Sequence, residues 1–353
     1  MGLYKGRGAL SNPTARFLAR DHERVDDGWY QAELPDSIAT QVRPESARSI
    51  ITRNDSPDIP FEQSINPYRG CEHGCVYCYA RPSHAYMDLS PGIDFETRIF
   101  YKQDAARLLE AELAAPGYQV KPITLGANTD PYQPLERDLK VTRSVLEVLE
   151  RTRHPVSLVT KGTLILRDLD LLRSLAQDRL VHVFVSITSL DPELKRTLEP
   201  RAASPQARLR VVRELSAAGV PTGVLVAPVI PAVNDCEVED IVAAVAGHGA
   251  IRAGYVLLRL PHELRELFRA WLDQHLPQRA EHVMSLIRSA RGGRDNDPRF
   301  GSRMSGNGAW ANLLRDRFAL ACRRHGLSNG RMRELSCTQF RAPARGGQMS
   351  LPI

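Results

Sequence analysis

Asn66-Pro67-Tyr68-Arg69-Gly70-Cys71-Glu72-His73-Gly74-Cys75-Val76-Tyr77-Cys78 gathers three of the chain's six cysteines into eight residues. The other three, Cys236, Cys322 and Cys337, are scattered. A disulfide framework suits a short secreted chain, and this one has 353 residues. Three thiols this close therefore point to a metal or a cluster, because soft sulfur ligands select zinc, copper(I) or iron–sulfur. Structural zinc wants four protein ligands. His73 can be the fourth, although it lies between two of the cysteines. A 4Fe–4S cluster normally takes four cysteines, so three from one loop leave one iron open to a substrate or cofactor. Gly70 and Gly74 permit the tight turns such a loop needs, and Tyr77 can lay an aromatic face beside it.

Outward from this loop, apolar runs alternate with helical patterns. Strands are predicted at 64–70, 122–127, 156–160, 181–188, 222–229 and 254–259. Helices are predicted between them at 104–113, 139–150, 164–175, 205–218 and 237–246. Such alternation implies a parallel sheet with right-handed crossovers. Six units fall short of the eight in a closed barrel.

The triplet with Tyr77 before its last cysteine resembles the cluster loop of the radical S-adenosylmethionine (SAM) enzymes. That resemblance implies an α/β fold built as a partial (β/α)6 TIM-type barrel with its cluster after the first strand. It implies a 4Fe–4S cluster on Cys71, Cys75 and Cys78 and SAM chelated at the open iron. Reductive cleavage of SAM would then give a 5′-deoxyadenosyl radical that abstracts hydrogen from a substrate. Active sites of such folds lie beyond the C-terminal strand ends. The SAM-site candidates there are Tyr77 beside the cluster, Asn128 and Thr129 for the amino group or ribose, and Lys161 and Arg201 for the carboxylate. Ser186 is the candidate for a ribose hydroxyl, and Val229 or Ile230 for packing on adenine. Each position also has an ordinary reading: Asn, Thr and Asp before Pro131 are good turn residues, and Glu199 can simply pair with Arg201.

Further motifs narrow the resemblance. Asn66 to Gly70, Cys78-Tyr79-Ala80-Arg81-Pro82-Ser83-His84, Gly126 through Glu136, and the segment from Arg291-Gly292-Gly293 to Arg303-Met304-Ser305-Gly306-Asn307-Gly308 are similar to the DNA-repair-photolyase-like group, relatives of spore photoproduct lyase. One departure matters. That lyase has a cysteine after its second strand that returns hydrogen to the product; here the position is Ala127 or Asn128. Tyr132, Tyr79 or Cys236 are the alternative donors. Cys236, Cys322 and Cys337 are expected to be small hydrophobes rather than ligands of a second cluster. His84 is expected to be a structural histidine, and Trp310, Leu313, Leu314 and Phe318 follow a core helical spacing.

Composition bounds the rest. With 42% hydrophobic and 25% charged residues the chain reads as globular. It has no apolar run near the roughly 18 residues that cross a bilayer. The start, Met1-Gly2-Leu3-Tyr4-Lys5-Gly6-Arg7, lacks the apolar stretch of a secretory signal, so the expected compartment is the cytoplasm. The net charge is +6, and 17 Arg against 8 acids between Arg259 and Arg345 make that segment the basic part. Arginine's rigid fork suits phosphate, and DNA or RNA is the expected substrate class. A peptide or small metabolite, or a non-catalytic zinc-stapled nucleic-acid-binding module, are the alternatives. The radical reading also calls for an electron donor such as flavodoxin or ferredoxin. Three regions are expected: an N-terminal arm at 1–60, the core at 61–262 and a helical, Arg-rich extension at 263–353.

Overall fold

The computed structural model describes residues 5–18, 37–330 and 332–344. The expected arm at 1–60 and the Pro- and Gly-rich end after residue 341 thus lie partly outside the described residues. Among the described residues the strands are β1 Gln41–Pro44, β2 Thr52–Arg53, β3 Gln63–Ile65, β4 Tyr68–Arg69, β5 Arg98–Tyr101, β6 Ile123–Leu125, β7 Val156–Thr160, β8 Val181–Ser186, β9 Thr222–Val229 and β10 Arg252–Leu257. The α-helices are α1 Ile93–Thr97, α2 Ala105–Leu113, α3 Glu136–Leu139, α4 Val141–Arg151, α5 Leu169–Gln177, α6 Pro192–Leu198, α7 Pro205–Ala217, α8 Val238–Gly247, α9 Leu264–His275, α10 Ala280–Ala290 and α11 Gly308–Arg324.

The main sheet runs β10-β9-β8-β7-β6-β3-β2. From β3 to β10 its six strands are parallel and in chain order, while β2 joins antiparallel at the edge. The sheet stays open, so the expected α/β architecture with six βα units is present without barrel closure. β7 and β9 occupy the predicted spans to the residue. The run predicted at 64–70 is instead divided. Asn66-Pro67 interrupts the ladder, since proline has no N–H to give, and β4 pairs with β5 in a second sheet of order β1-β5-β4.

One face of the main sheet is sealed. Val156, Leu158, Val181, Val183, Val185, Val224 and Val226 share a core with Leu146, Leu149, Leu172, Leu175, Val211 and Leu215 of the crossover helices. Strand residues alternate faces, and the alternates Ser157, Val159, His182, Phe184 and Leu225 are only half-buried. The face they share is therefore less closely covered than the helix-packed one. Helix α11 adds Leu314, Phe318 and Cys322 to the same core, with Trp310 partly buried against it, whereas Leu313 points outward. Helix α9 joins a second core in which Phe268, Trp271 and Leu272 meet Val76, Tyr77, Ile230, Leu258 and Leu260. Among the described residues no helix is long and apolar enough to cross a membrane.

Two buried histidines give the fold an acid-sensitive range. Burial lowers His84 and His154 to about 4. The unfolded chain takes up protons first as pH falls through about 6.5. Their contribution is complete above that value and is lost as pH falls towards 4. The melting temperature is thus expected to hold near pH 7–8 and to drop on acidification from about 6.5 to 4.5. A His154→Asn variant, melted over the same series, should show a shallower slope.

Candidate active site

The cysteine loop leaves β4 and crosses the C-terminal ends of the main sheet. Its backbone is held from several directions. The Cys71 N–H donates to the Phe95 carbonyl at 2.9 Å and the Val76 N–H to the Leu198 carbonyl at 3.0 Å. Gln133, after β6, brackets the first turn: its Oε1 accepts from the Glu72 N–H at 2.9 Å and its Nε2 donates to the Gly70 carbonyl at 3.2 Å. Arg81 donates to the Cys75 carbonyl at 2.8 Å and pairs with Glu96, both side chains being fully buried. Glu96 also accepts from the N–H groups of Gly8 and Ala9. The N-terminal arm thereby lies directly on the loop; a Cβ at Gly8 would stand 1.8 Å from the Gly74 carbonyl oxygen.

Beneath the loop sits a buried charge centre. Glu199, at the end of α6, accepts hydrogen bonds from Tyr77, from Thr188 Oγ1 at 2.7 Å and from Arg208 of α7. Burial alone would raise this carboxyl, yet Arg208 and Lys161 hold it down to about 2. Its partner is thus Arg208, not the neighbouring Arg201. Arg201 pairs with Glu72 at 3.2 Å and its side chain stays partly exposed. A second centre, Asp130, accepts from Thr160 Oγ1 and the Lys161 N–H and lies 3.2 Å from His73 Nδ1. Burial raises Asp130 as well, but His73, Thr160 and the Lys161 amide bring it to about 2.

The candidate residues divide in this frame. Cys71 and Cys75 are buried and Cys78 is half-buried. Lys161 sets its ammonium 5.8 Å from the centre of the Tyr77 ring, and its charge favours the thiolates of Cys75 and Cys78. Among the described residues Lys161 has no carboxylate at ion-pair distance. Ile230 is buried in the apolar group that contains Cys75 and Tyr77. Ser186 ends β8, buried, with its carbonyl accepting from Arg208 at 3.1 Å. The Asn128 N–H donates to Asn66 Oδ1, while the Thr129 hydroxyl is used on the Tyr68 carbonyl at 2.8 Å. Thr129 therefore fixes the turn rather than facing open space. His84 is buried, with Nε2 3.0 Å from the Arg98 carbonyl oxygen and, among the described residues, no hydrogen-bond partner at Nδ1. Cys322 is buried in the core, Cys337 is half-buried and Cys236 is exposed, so the expectation of three small hydrophobes fits Cys322 best. Sequence reasoning did not single out Asp130, Gln133, Arg81, Glu96 or Arg208. Arg81, Asp130 and Gln133 carried a signal as members of the quoted motifs, whereas Glu96 and Arg208 carried none.

Residues 65–245 match the family described as the radical SAM superfamily. The chain belongs to that family. An uncharacterized protein of Mycobacterium tuberculosis is 38% identical to this radical SAM protein over 232 residues, 65% of this chain and 68% of that one. Another, of Methanocaldococcus jannaschii, is 28% identical over 174 residues, covering 49% and 62%. Among solved structures, spore photoproduct lyase complexed with dinucleoside spore photoproduct is similar in fold, with a TM-score of 0.57 and 16% identity over 81% of this chain and 80% of that one. A double mutant of the lyase with bound AdoMet and the same dinucleoside has a TM-score of 0.56 at 16% identity, over the same shares.

Radical SAM enzymes use a 4Fe–4S cluster and SAM, and the donor set here suits that group. Burial, then the charge of Asp130, raises the Cys71 thiol well above its ordinary value. Burial, then Glu199, pushes Cys75 up to about 12. Thiolates in such a place call for a cation bound to them, which iron supplies. Among the described residues no three His, Cys, Asp or Glu side chains converge as ligands of a single ion. A cubane takes each cysteine on a different iron, so its ligands need no common point. Membership in an enzyme family sets aside the non-catalytic zinc-stapled module.

Proposed function

We propose that this radical SAM enzyme abstracts hydrogen from a nucleic-acid substrate, with Cys71, Cys75 and Cys78 each holding one iron of its cluster. The observation that carries this reading is the three-cysteine loop at the C-terminal ends of an open parallel sheet, with the unpaired Lys161 ammonium beside Tyr77. When bound, the cluster supplies the electron that splits SAM to a 5′-deoxyadenosyl radical.

The chain's own residues bind and orient. Lys161 takes the carboxylate of SAM, a role for which Arg201 is less free because Glu72 holds it. Asn128 faces the methionine end, Ser186 the ribose, and Ile230 the adenine. Tyr77, held by Glu199 and Thr188, keeps an aromatic wall against the loop. The arm at Gly8 and Ala9 excludes water from the loop's outer side. A soluble electron donor such as flavodoxin or ferredoxin reduces the cluster, in the cytoplasm. The nucleic-acid reading draws on the excess of arginine after Arg259 and on the fold shared with a lyase solved with a dinucleoside lesion. No cysteine lies between Cys78 and Cys236, so none stands directly after the second strand of the parallel series, and the reading stops at hydrogen abstraction.

The test is anaerobic reconstitution with iron and sulfide, followed by SAM and dithionite. Wild-type protein should form 5′-deoxyadenosine, and the Cys71→Ala, Cys75→Ala, Cys78→Ala triple variant none. Substrate turnover is then sought with single-stranded DNA, duplex DNA and RNA. A Lys161→Met variant should bind SAM roughly ten- to a hundredfold more weakly, the worth of one charge-assisted hydrogen bond. Equilibrium dialysis of the cluster-loaded protein reads this directly; unchanged affinity would remove Lys161 from the site.

A further inference from the structure

Arg259 follows β10, the last parallel strand, and sits between Leu258 and Leu260. Both leucines are buried in the apolar group that holds Cys75 and Tyr77. Alternation along this extended segment turns Arg259 away from that group, and its side chain is half-buried. Its Nε is enclosed and has no hydrogen-bond partner. Among the described residues its Nη1 meets only the Met304 sulfur, at 3.9 Å.

The surrounding groups are already engaged. Arg303 takes the Asp58 carboxylate with two N–H groups, one at 2.7 Å. Arg291 donates to the carbonyls of Ser302, Arg303, Leu257 and Leu258. Among the described residues Arg259 has no carboxylate at ion-pair distance. Arg303 and Arg291 are close enough to repel it, and among the described residues the Asp58 carboxylate, already taken by Arg303, offsets this in part. A partly desolvated guanidinium with two cationic neighbours is unfavourable until an anion arrives. Tyr79, directly after Cys78, is about half-exposed, and the exposed Phe300 ring lies 4.7 Å from the Arg303 guanidinium carbon. A half-buried cation whose neighbours carry exposed aromatic rings, Tyr79 itself and Phe300 on Arg303, suits a phosphate with a base stacked close by.

We propose that Arg259 is an anion subsite that takes a backbone phosphate of a single nucleic-acid strand at the mouth of the sheet, with Tyr79 and Phe300 as stacking faces. This rests on the nucleic-acid reading above and adds the place where the strand is held.

The probe is a fluorescein-labelled oligothymidylate of about ten nucleotides, bound to the cluster-loaded enzyme and followed by anisotropy over a salt series. Arg259→Gln should weaken binding roughly tenfold and lower the salt slope by about 0.7, the value for one phosphate contact on a single strand. Arg259→Lys, which keeps the charge, should recover part of both. A probe with methylphosphonate linkages should lose affinity on the wild type by a larger factor than on Arg259→Gln. Equal affinity and slope for wild type and Arg259→Gln would overturn the proposal. So would a loss confined to SAM binding, which would make the anion the SAM carboxylate. Binding is read without turnover, so a failure of the radical chemistry, seen as no 5′-deoxyadenosine from the wild type, is a separate result.

Discussion

Replacing Arg208 with alanine is expected to cost about 3–5 kcal/mol of stability, the usual effect of stranding one member of a buried ion pair. Both side chains of the Glu199–Arg208 pair are 2% exposed. Without Arg208, the Glu199 carboxylate keeps the Tyr77 and Thr188 hydroxyls and the more distant charge of Lys161 but loses its contact ion-pair partner, and the Ser186 carbonyl loses a donor. Tyr77 lies between Cys75 and Cys78, so the damage reaches the cluster. Urea unfolding should show the loss, and iron per chain after reconstitution should fall with it. A Glu199→Gln, Arg208→Met double variant should recover most of the stability, because removing both charges leaves none buried alone. A single variant that lost under about 1 kcal/mol would mean that water reaches Glu199.

Arg81→Ala should be of similar size, about 3–5 kcal/mol, with a sharper effect on the loop. Arg81 donates to the carbonyls of Cys75, Pro91 and Gly92 as well as to Glu96. One guanidinium thus ties the middle cysteine to α1 and to the N-terminal arm. Among the described residues, its loss leaves the Glu96 carboxylate with the amides of Gly8 and Ala9 and the Cys75 carbonyl with the longer bond from the Cys78 N–H at 3.3 Å. The arm should then lift, and a chelator should strip iron several-fold faster than from wild type. Arg81→Lys restores a charge but not the fork that spans four acceptors, so it should rescue stability better than iron retention. Iron retention unchanged in Arg81→Ala would show that the arm and loop are held by other contacts.

The residues that decided the family were readable as letters. Three cysteines at x3 and x2 spacing need only one loop, and a loop is local. The β-branched runs at 156–160 and 222–229 also announced themselves, because a strand's preference lies in its own side chains. β1 and β5 escaped notice: each has four residues and they pair with one another across more than fifty positions of chain. The division of the first predicted strand at Asn66-Pro67 was written in the sequence, but the second sheet that receives β4 was not.

The site shows the same boundary. The sequence by itself determined the three-cysteine loop proposed to hold the cluster, the order of six βα units and the strand ends from which a cofactor site would be drawn. Tertiary structure alone decided which charges meet. Glu199 turned to Arg208 instead of the nearer Arg201, since helix α7 brings Arg208 inward while Arg201 remains at the rim beside Glu72. Among the described residues Arg259 has no carboxylate at ion-pair distance, and Asp58, more than two hundred residues away in the chain, pairs with Arg303 instead. The physical reason is that a buried charge is stable only with a partner at contact distance. Chain crossings set which groups come into contact, and sequence spacing does not record them.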